Sequence, residues 1–465
     1  MGDSFISEYM ELPKPIYLPA DTEITDDLIK KIIKVMEKDA ERYQVLQGYY
    51  EGKAKIYERD KDPNKSNNKL VLPYPSYIVD LLLGLFVGKP ISYTVADEYK
   101  EMMLAVQDVF DLNDEQDENT ELAKMIGIKG EGREIVYLDE EGQVRFNEVE
   151  PENLRIIYDD AIIPEPIFAV YTRTYVDASN FDKESKDKLV TVYTDEAIKE
   201  YKLEGSDLKL IDEQANLFGE IPVIDFKNND EGIGDFERVI PLIDAINLSQ
   251  SDTANDFEEF TNAILLLNGM PQIDSEDVNQ LLEDRVIALM DGQGASWLIK
   301  AINDVALENY KLRLDADIHK HAKVPNMADE KFAGNISGEA MKYKLFATDQ
   351  IIAQKQRKFK TALQKRIRLI LNILNIKGAN DFDYRDISVV FNDNKPYNEL
   401  DNINVVKTAL DAGLSKTYAY SKLRDIDDVA EEIEIQAQEK EEAYQDYADS
   451  FLADRNQDEV EEDEG

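Results

Sequence analysis

The sequence predicts an α+β, helix-rich fold on three observations. Apolar residues keep a helical spacing for about forty residues after Ser337. The stretch from Glu134 to Asp160 switches to a period of two. Two further helical patterns bracket a short insert between 269 and 303. A chain of 465 residues can bury a substantial core and divide into about two to four units.

Taken in order, residues 11–20 hold Pro13, Pro15 and Pro19, which bar a helix or central strand and leave an extended arm of the kind that clasps a neighbour. Thr25 is placed to cap a helix over Asp26–Gly48, with Leu28, Ile32, Val35, Tyr43 and Leu46 near one face. Asn67–Pro75 reads as a loop, and Tyr77–Phe86 as a strongly apolar helix stopped by Gly88-Lys89-Pro90. Ile135–Leu138 and Val144–Val149 form a hairpin around Glu141-Gly142, and Leu154–Tyr158, Phe168–Tyr175 and Leu189–Tyr193 continue the strands. Pro241 suits a first helical turn, and Ile246, Phe257, Phe260 and Ile264 carry that helix to Leu267, before Gly269-Met270-Pro271 ends it.

In the insert, Arg285–Met290 and Ala295–Ile299 read as strands joined at Asp291-Gly292, the second strand holding Trp297, the only tryptophan. Asp304–Ala322 is a further helix. The loop Val324–Asn335 then feeds the long helix, with Ser337 as its cap and Glu339 in its first turn. Phe359, Leu363, Ile367, Ile370 and Leu374 form its stripe, and Gly378 stops it. At about 1.5 Å per residue this rod is roughly 60 Å long, a length suited to spanning an assembly rather than closing a small core. Ile387–Phe391 reads as a strand and 398–448 as helices. From residue 425 onward there are eighteen acids against two bases, and the last dozen residues, almost without apolar content, are expected to be disordered.

Ninety-seven acids against 53 bases give a formal charge of -44, which argues against tight, phosphate-neutralising DNA binding. The absence of cysteine excludes disulfides, thiolate metal sites and a cysteine nucleophile. The longest apolar run, Ile78 to Gly88, is too short for a membrane span and contains Asp80, and Met1-Gly2-Asp3-Ser4 does not open a signal peptide.

No enzymatic motif is present. Gly48 to Ala54 and Gly84 to Pro90 each fall one residue short of a phosphate loop and lack its hydroxyl, so both read as helix ends. Gly127, Gly130 and Gly132 have the wrong spacing for a dinucleotide fingerprint and read as a helix-to-strand turn. Asp111–Glu115 starts like a calcium loop, but Gln116 and Leu122 replace its glycine and closing glutamate, leaving a solvated acidic loop. His319 and His321 point to different helix faces and make no zinc or nucleophile pair. No cofactor and no enzymatic activity are expected. One charge feature stands out: Lys355, Arg357, Lys358, Lys360, Lys365, Arg366 and Arg368 form an acid-free basic segment. Its ordinary reading is a solvated helix face; the sharper one is charge complementarity with the acidic C-terminal region.

Several passages, in a shared order over about three hundred residues, carry a family resemblance. They are Tyr49 to Gly52, Asn67 to Asp80, Leu85 to Pro90, Val149 to Asp159, Gly234 to Asp244, Asn262 to Gly269, Val324 to Met327 and Phe332 to Ala340. Together they resemble the portal proteins of tailed bacteriophages, in particular the family of long-tailed phages of Gram-positive hosts.

The resemblance implies a portal fold whose wing, stem, clip and crown build a dodecameric ring around a central channel at one capsid vertex. On that basis 1–235 is the wing, 236–268 the first stem helix, 269–303 the clip, 304–322 the second stem helix, 323–336 the tunnel loop, 337–395 the long wing helix and strand, and 396–465 the crown with its acidic tail. It further implies a protein of the virion, assembled in the host cytoplasm. The implied partners are terminase, head-completion connectors, major capsid and scaffolding proteins, and the double-stranded DNA that passes through for packaging and ejection, with no membrane. The tunnel-loop, DNA-facing residues are then Val324, Asn326, Asp329, Glu330, Lys331, Phe332, Gly334 and Asn335; the clip docking residues are Arg285, Asp291, Gly292 and Trp297. A non-channel head or scaffolding-associated protein, binding through its acidic ends, is the alternative from another class.

Overall fold

The structure is a computed structural model that describes residues 11–61, 65–174, 187–261, 264–268, 294–298, 304–327, 338–392, 394, 399–420 and parts of 422–440. Its chain order begins with β1 (Ile16–Leu18), α1 (Asp26–Tyr50), α2 (Tyr74–Val87), β2 (Ser92–Thr94), α3 (Lys100–Leu112) and α4 (Glu115–Lys129). Then come β3 (Glu131–Leu138), β4 (Val144–Val149), β5 (Leu154–Asp159), β6 (Pro166–Thr174), β7 (Lys188–Tyr193), β8 (Ala197–Glu204), β9 (Asp207–Ala215) and β10 (Val223–Lys227). The remainder is α5 (Ile240–Thr261), β11 (Ile264–Asn268), β12 (Gly294–Leu298), α6 (Asp304–Ala322), α7 (Gly338–Gly378), β13 (Ser388–Val390), α8 (Glu399–Asp411) and α9 (Lys416–Tyr420).

The mixed helix-and-sheet class is as the sequence predicts. One unit takes Met1–Met327 with Leu345–Asn394, the other Ala328–Lys344 with Lys395–Gly465. In the second, Ala419 of α9 is buried, and the Gln436 side chain meets Lys416 and the Tyr420 hydroxyl.

In the first unit a six-stranded sheet runs β1-β5-β6-β7-β8-β9 and a three-stranded sheet runs β10-β3-β4. The proline-rich arm is extended, and its β1 pairs in parallel with β5 of its own chain. Alternation along the strands sends Ile157, Phe168, Val170, Val190 and Val192 to one face, where Ile29, Ile32, Ile33 and Met36 of α1 cover them. Ile156, Ala169 and Tyr193 point the other way, toward Ile135 and Val223 of the smaller sheet. Thr25 caps α1 by accepting from the Leu28 N–H at 3.3 Å. Val35, expected on the apolar face, is instead 40% exposed, because the i, i+3, i+4, i+7 stripe runs through Ile29 and its mates one position away.

The main core lies around α7. Phe359, Leu363, Ile367 and Ile370 are each at most 1% exposed, and the Phe359 ring sits 5.3 Å from Phe86 and 4.8 Å from Phe226. The expectation that this rod spans an assembly rather than closes a core is therefore corrected: from Ile352 to Ile373 it forms the centre of its own subunit's core, against α2, α3, α4, α5 and α6.

Two further corrections concern boundaries. The helix expected to reach Leu267 stops at Thr261, and Ile264–Asn268 is a strand paired antiparallel with Gly294–Leu298, placing Trp297 opposite Leu265. Four consecutive apolar residues give a helix no polar face but suit a strand with two covered faces. The Arg285–Met290 strand and its Asp291-Gly292 turn lie outside the described residues. The stretch Asp111–Glu115 is the tight junction of α3 and α4, with Asp114 at φ 49; Asp111 and Asp114 are exposed as a solvated stretch would be, but Glu115 is buried. Gly130 does make the expected helix-to-strand turn, at φ 86 against the Gly232 carbonyl, where a Cβ would collide.

Apart from the exposed Arg357, the basic segment is largely not a solvated face, and its described acidic partners lie between residues 115 and 235 rather than in the acidic C-terminal region. Lys355 pairs with Asp235, both buried; Lys358 with Asp230; Arg368 with Glu220; and Arg366, fully buried, takes Glu134 through two bonds, Asn119 at 2.7 Å and Glu115 at 3.4 Å. Beside Arg366, burial first and then a hydrogen bond with Glu148 raise the Glu118 carboxyl to about 10.

Removing one partner of a buried ion pair costs about 3–5 kcal/mol, so Arg366→Met should lower the urea midpoint by that equivalent. Glu118 holds a native-state proton between its ordinary value and its raised one. Its contribution is complete below the unfolded value near 4.5 and is lost as pH rises through about 10. Glu118→Gln should remove a downward slope of up to about 1.4 kcal/mol per pH unit across that window, read from urea denaturation at several pH values.

Candidate functional site at the root of the loop after α6

The loop beginning at Val324 leaves α6 through a cap that its sequence makes unusual. Lys323 adopts the left-handed conformation, φ 57, a position usually given to glycine. The Val324 N–H reaches back to the His319 carbonyl at 3.1 Å, as in a Schellman cap, and Val324 is buried beneath it. The Lys323 carbonyl accepts from the buried Thr348 hydroxyl of α7 at 2.8 Å. Two helices thus fix the point of departure.

The next residues are held by α2. Pro75 opens that helix, and Tyr74 and Tyr77, three residues apart, share one face. The Tyr77 hydroxyl donates to the Pro325 carbonyl at 2.8 Å and accepts from the Met327 N–H at 3.0 Å, bridging both sides of Asn326. The Tyr74 hydroxyl donates to Asp315 Oδ1 at 2.7 Å, while the Asn326 amide donates to Asp315 Oδ2 at 3.2 Å. One carboxylate therefore ties α2, α6 and the loop together. His319, four residues on, lies 2.9 Å from the Asp315 carbonyl and 3.4 Å from its carboxylate, edge-on to both tyrosine rings at 5.9 and 5.6 Å. Burial first, then the Asp315 hydrogen bond, pushes the Tyr74 phenol above its ordinary value, keeping it a neutral donor.

Nothing in this arrangement supplies a nucleophile and base, and no group of carboxylates and histidines among the described residues could hold a metal. What it can do is fix the first four loop residues against three helices. Of the expected site residues, Val324 and Asn326 belong to this anchor. Asp329, Glu330, Lys331, Phe332, Gly334 and Asn335 lie outside the described residues, as do Ser337, Arg285, Asp291 and Gly292; Trp297 lies on β12. Sequence reading missed Tyr74, Tyr77, Asp315, His319 and Thr348. The only hints were a tyrosine pair at helical spacing after Pro73 and an aspartate–histidine pair four apart.

Tyr77→Phe removes one donor and one acceptor with little change of shape. It should cost about 0.5–1.5 kcal/mol of local stability and raise amide exchange at Met327 without altering exchange in the α7 core.

The sequence pattern of the family described as phage portal protein, SPP1 Gp6-like, matches residues 29–446. A portal protein of Bacillus phage SPP1 is 22% identical over 414 residues, covering 84% of this chain and 81% of that protein. A portal protein of Clostridium phage phiCD119 is 24% identical over 450 residues, covering 89% of this chain and 96% of that protein. A solved structure described as the neck of an empty GTA particle computed with C6 symmetry aligns with 75% of this chain and 89% of its own, at TM-score 0.48 and 13% identity.

Proposed function

The chain belongs to the SPP1 Gp6-like phage portal protein family, and from that premise we propose that its copies form a ring at one capsid vertex, most simply of twelve subunits in the virion, through which DNA enters and leaves. The single observation that carries this reading is the family match over 29–446, which includes α5, α6, the loop root and α7 alike. Portal proteins are structural, and the role assigned here is conduction and docking rather than catalysis. Terminase would drive the DNA, connectors would dock for genome retention, and capsid and scaffolding proteins would surround the ring.

On this reading the sheets with α1 to α4 and most of α7 are the wing, α5 and α6 the stem, 269–303 the clip, and the helices after 396 the crown. The clip, including Trp297, would be the docking surface. The residues after Met327, with Lys331 as a candidate phosphate contact, would face the DNA from the anchor described above.

The stem supports the ring physically. Packed against each other, α5 and α6 still leave Leu248, Phe257, Val305, Tyr310 and Leu312 exposed at 45, 64, 72, 50 and 58%. Apolar side chains of this size along two neighbouring helices are what a head-to-tail contact between identical copies would cover. The -44 charge suits a channel past which a phosphate rod slides rather than binds.

Negative-stain electron microscopy of purified protein should show rings with an axial hole. A protein that remains a compact monomer at micromolar concentration would overturn the reading. Val305→Glu with Leu312→Glu should shift sedimentation toward monomer by at least about tenfold in apparent affinity, leaving the melting temperature of the monomer within about 2 °C.

A further inference from the structure

Away from the stem, α7, β10 and the β5–β6 loop enclose an open cavity of about 690 Å³. Four cations line it in a strongly acidic protein: Lys227, Lys358, Lys365 and Arg368. Three are accounted for. Arg368 holds Glu220 through two bonds, Lys227 lies 3.3 Å from Asp225, and Lys358 pairs with Asp230.

Lys365 differs. Its ammonium donates to the Val223 carbonyl at 2.8 Å and meets no carboxylate of its own. Burial is the first cause lowering its pKa, and the carboxylates that raise it, Glu220 and Asp225, are already engaged by Arg368 and by Arg133 with Lys227. An ammonium with donors to spare, set in the wall of a cavity, suits an anion that brings one compensating charge.

The loop that gives the cavity Glu165 and Pro166 also carries Ile162 and Ile163, at 102 and 80% exposure, two to three residues before Glu165 at the cavity edge. Glu165 is itself exposed and solvated. One ammonium without a hydrogen-bonded carboxylate matches one carboxylate rather than the repeated charges of a nucleic acid.

We propose that this cavity docks an acidic, partly apolar peptide segment of a partner protein, with one carboxylate on Lys365 and apolar side chains on Ile162 and Ile163. The assignment rests on the cavity and its charges and does not depend on the ring.

The test uses the full-length protein and a fluorescein-labelled hexapeptide alternating glutamate and leucine, followed by anisotropy. The glutamate peptide should bind at least about tenfold tighter than its glutamine counterpart, and Lys365→Gln should erase that difference while Lys365→Arg keeps it. Ile162→Ser with Ile163→Ser, on an exposed loop that cannot harm the core, should weaken binding by about threefold or more at unchanged melting temperature. Carbon-13 methylation of the lysines, which keeps their charge, provides a readout without any substitution, since the Lys365 resonance should move when peptide is added. Equal binding of both peptides, an unmoved Lys365 resonance, or stronger competition by an oligothymidylate than by the glutamate peptide would overturn the assignment.

Discussion

Arg366 is buried completely in the middle of α7, and the packing of the first unit depends on how that charge is satisfied. Its guanidinium meets Glu134 of β3 through two bonds, Asn119 and Glu115 of α4, and the Phe146 ring of β4 at 4.5 Å. These partners stand more than 200 residues away in sequence, so their geometry exists only once the helix and the small sheet have met. A buried pair of this kind contributes little against an apolar replacement, but one partner without the other is costly, so it penalises every arrangement in which α7 has slipped along the sheet. Lys355 with Asp235 repeats the device about three turns earlier, fixing rotation as well as position. Arg42 with Glu237 does the same for α1, where the guanidinium also bonds the Lys129 and Gly232 carbonyls.

That register carries through to the loop root. Thr348 is on the same helix as Lys355 and Arg366, and its bond to the Lys323 carbonyl is right only if α7 sits where those cations hold it. Asp315 closes the arrangement from the other side by taking Tyr74 and Asn326 together. A loop that meets moving DNA, as proposed above, would need a root that does not yield. Here the root is fixed by side-chain bonds to three helices rather than by its own backbone, which at Lys323 is strained.

Much of this was legible in the sequence where local pattern decides structure. The stripe from Phe359 to Ile370, the Thr25 cap, the Asp304–Ala322 helix and the hairpin of β3 and β4 follow from spacing and capping alone. What was not legible depended on pairing at a distance. The basic segment looked solvated because its partners Glu134, Glu220, Asp230 and Asp235 are scattered through the first half of the chain. The run from Ile264 to Leu267 looked helical because its strand partner begins only at Gly294. The loop root was invisible for the same reason: Tyr77 finds Pro325 across a separation of 248 residues. The family resemblance pointed to the loop as a whole but not to the residues that anchor it.

The buried cations also shape the surface that remains. Each lysine or arginine drawn into the core of an already acidic chain is withdrawn from the surface, although its carboxylate partner is largely withdrawn with it. The pairs therefore cancel, and the surplus of acids is left to the exterior. The mutual repulsion that follows falls off within about a Debye length at physiological salt, so it opposes close approach of copies without forbidding it. Subunits that associate under such repulsion need apolar contact to overcome it. The exposed residues of α5 and α6, such as Phe257, Val305 and Leu312, are among the places where the first unit offers apolar surface for it. The same surplus leaves a surface on which a phosphate backbone finds few lasting partners, so one charge balance would bear both on how copies meet and on how DNA passes them in the ring proposed above.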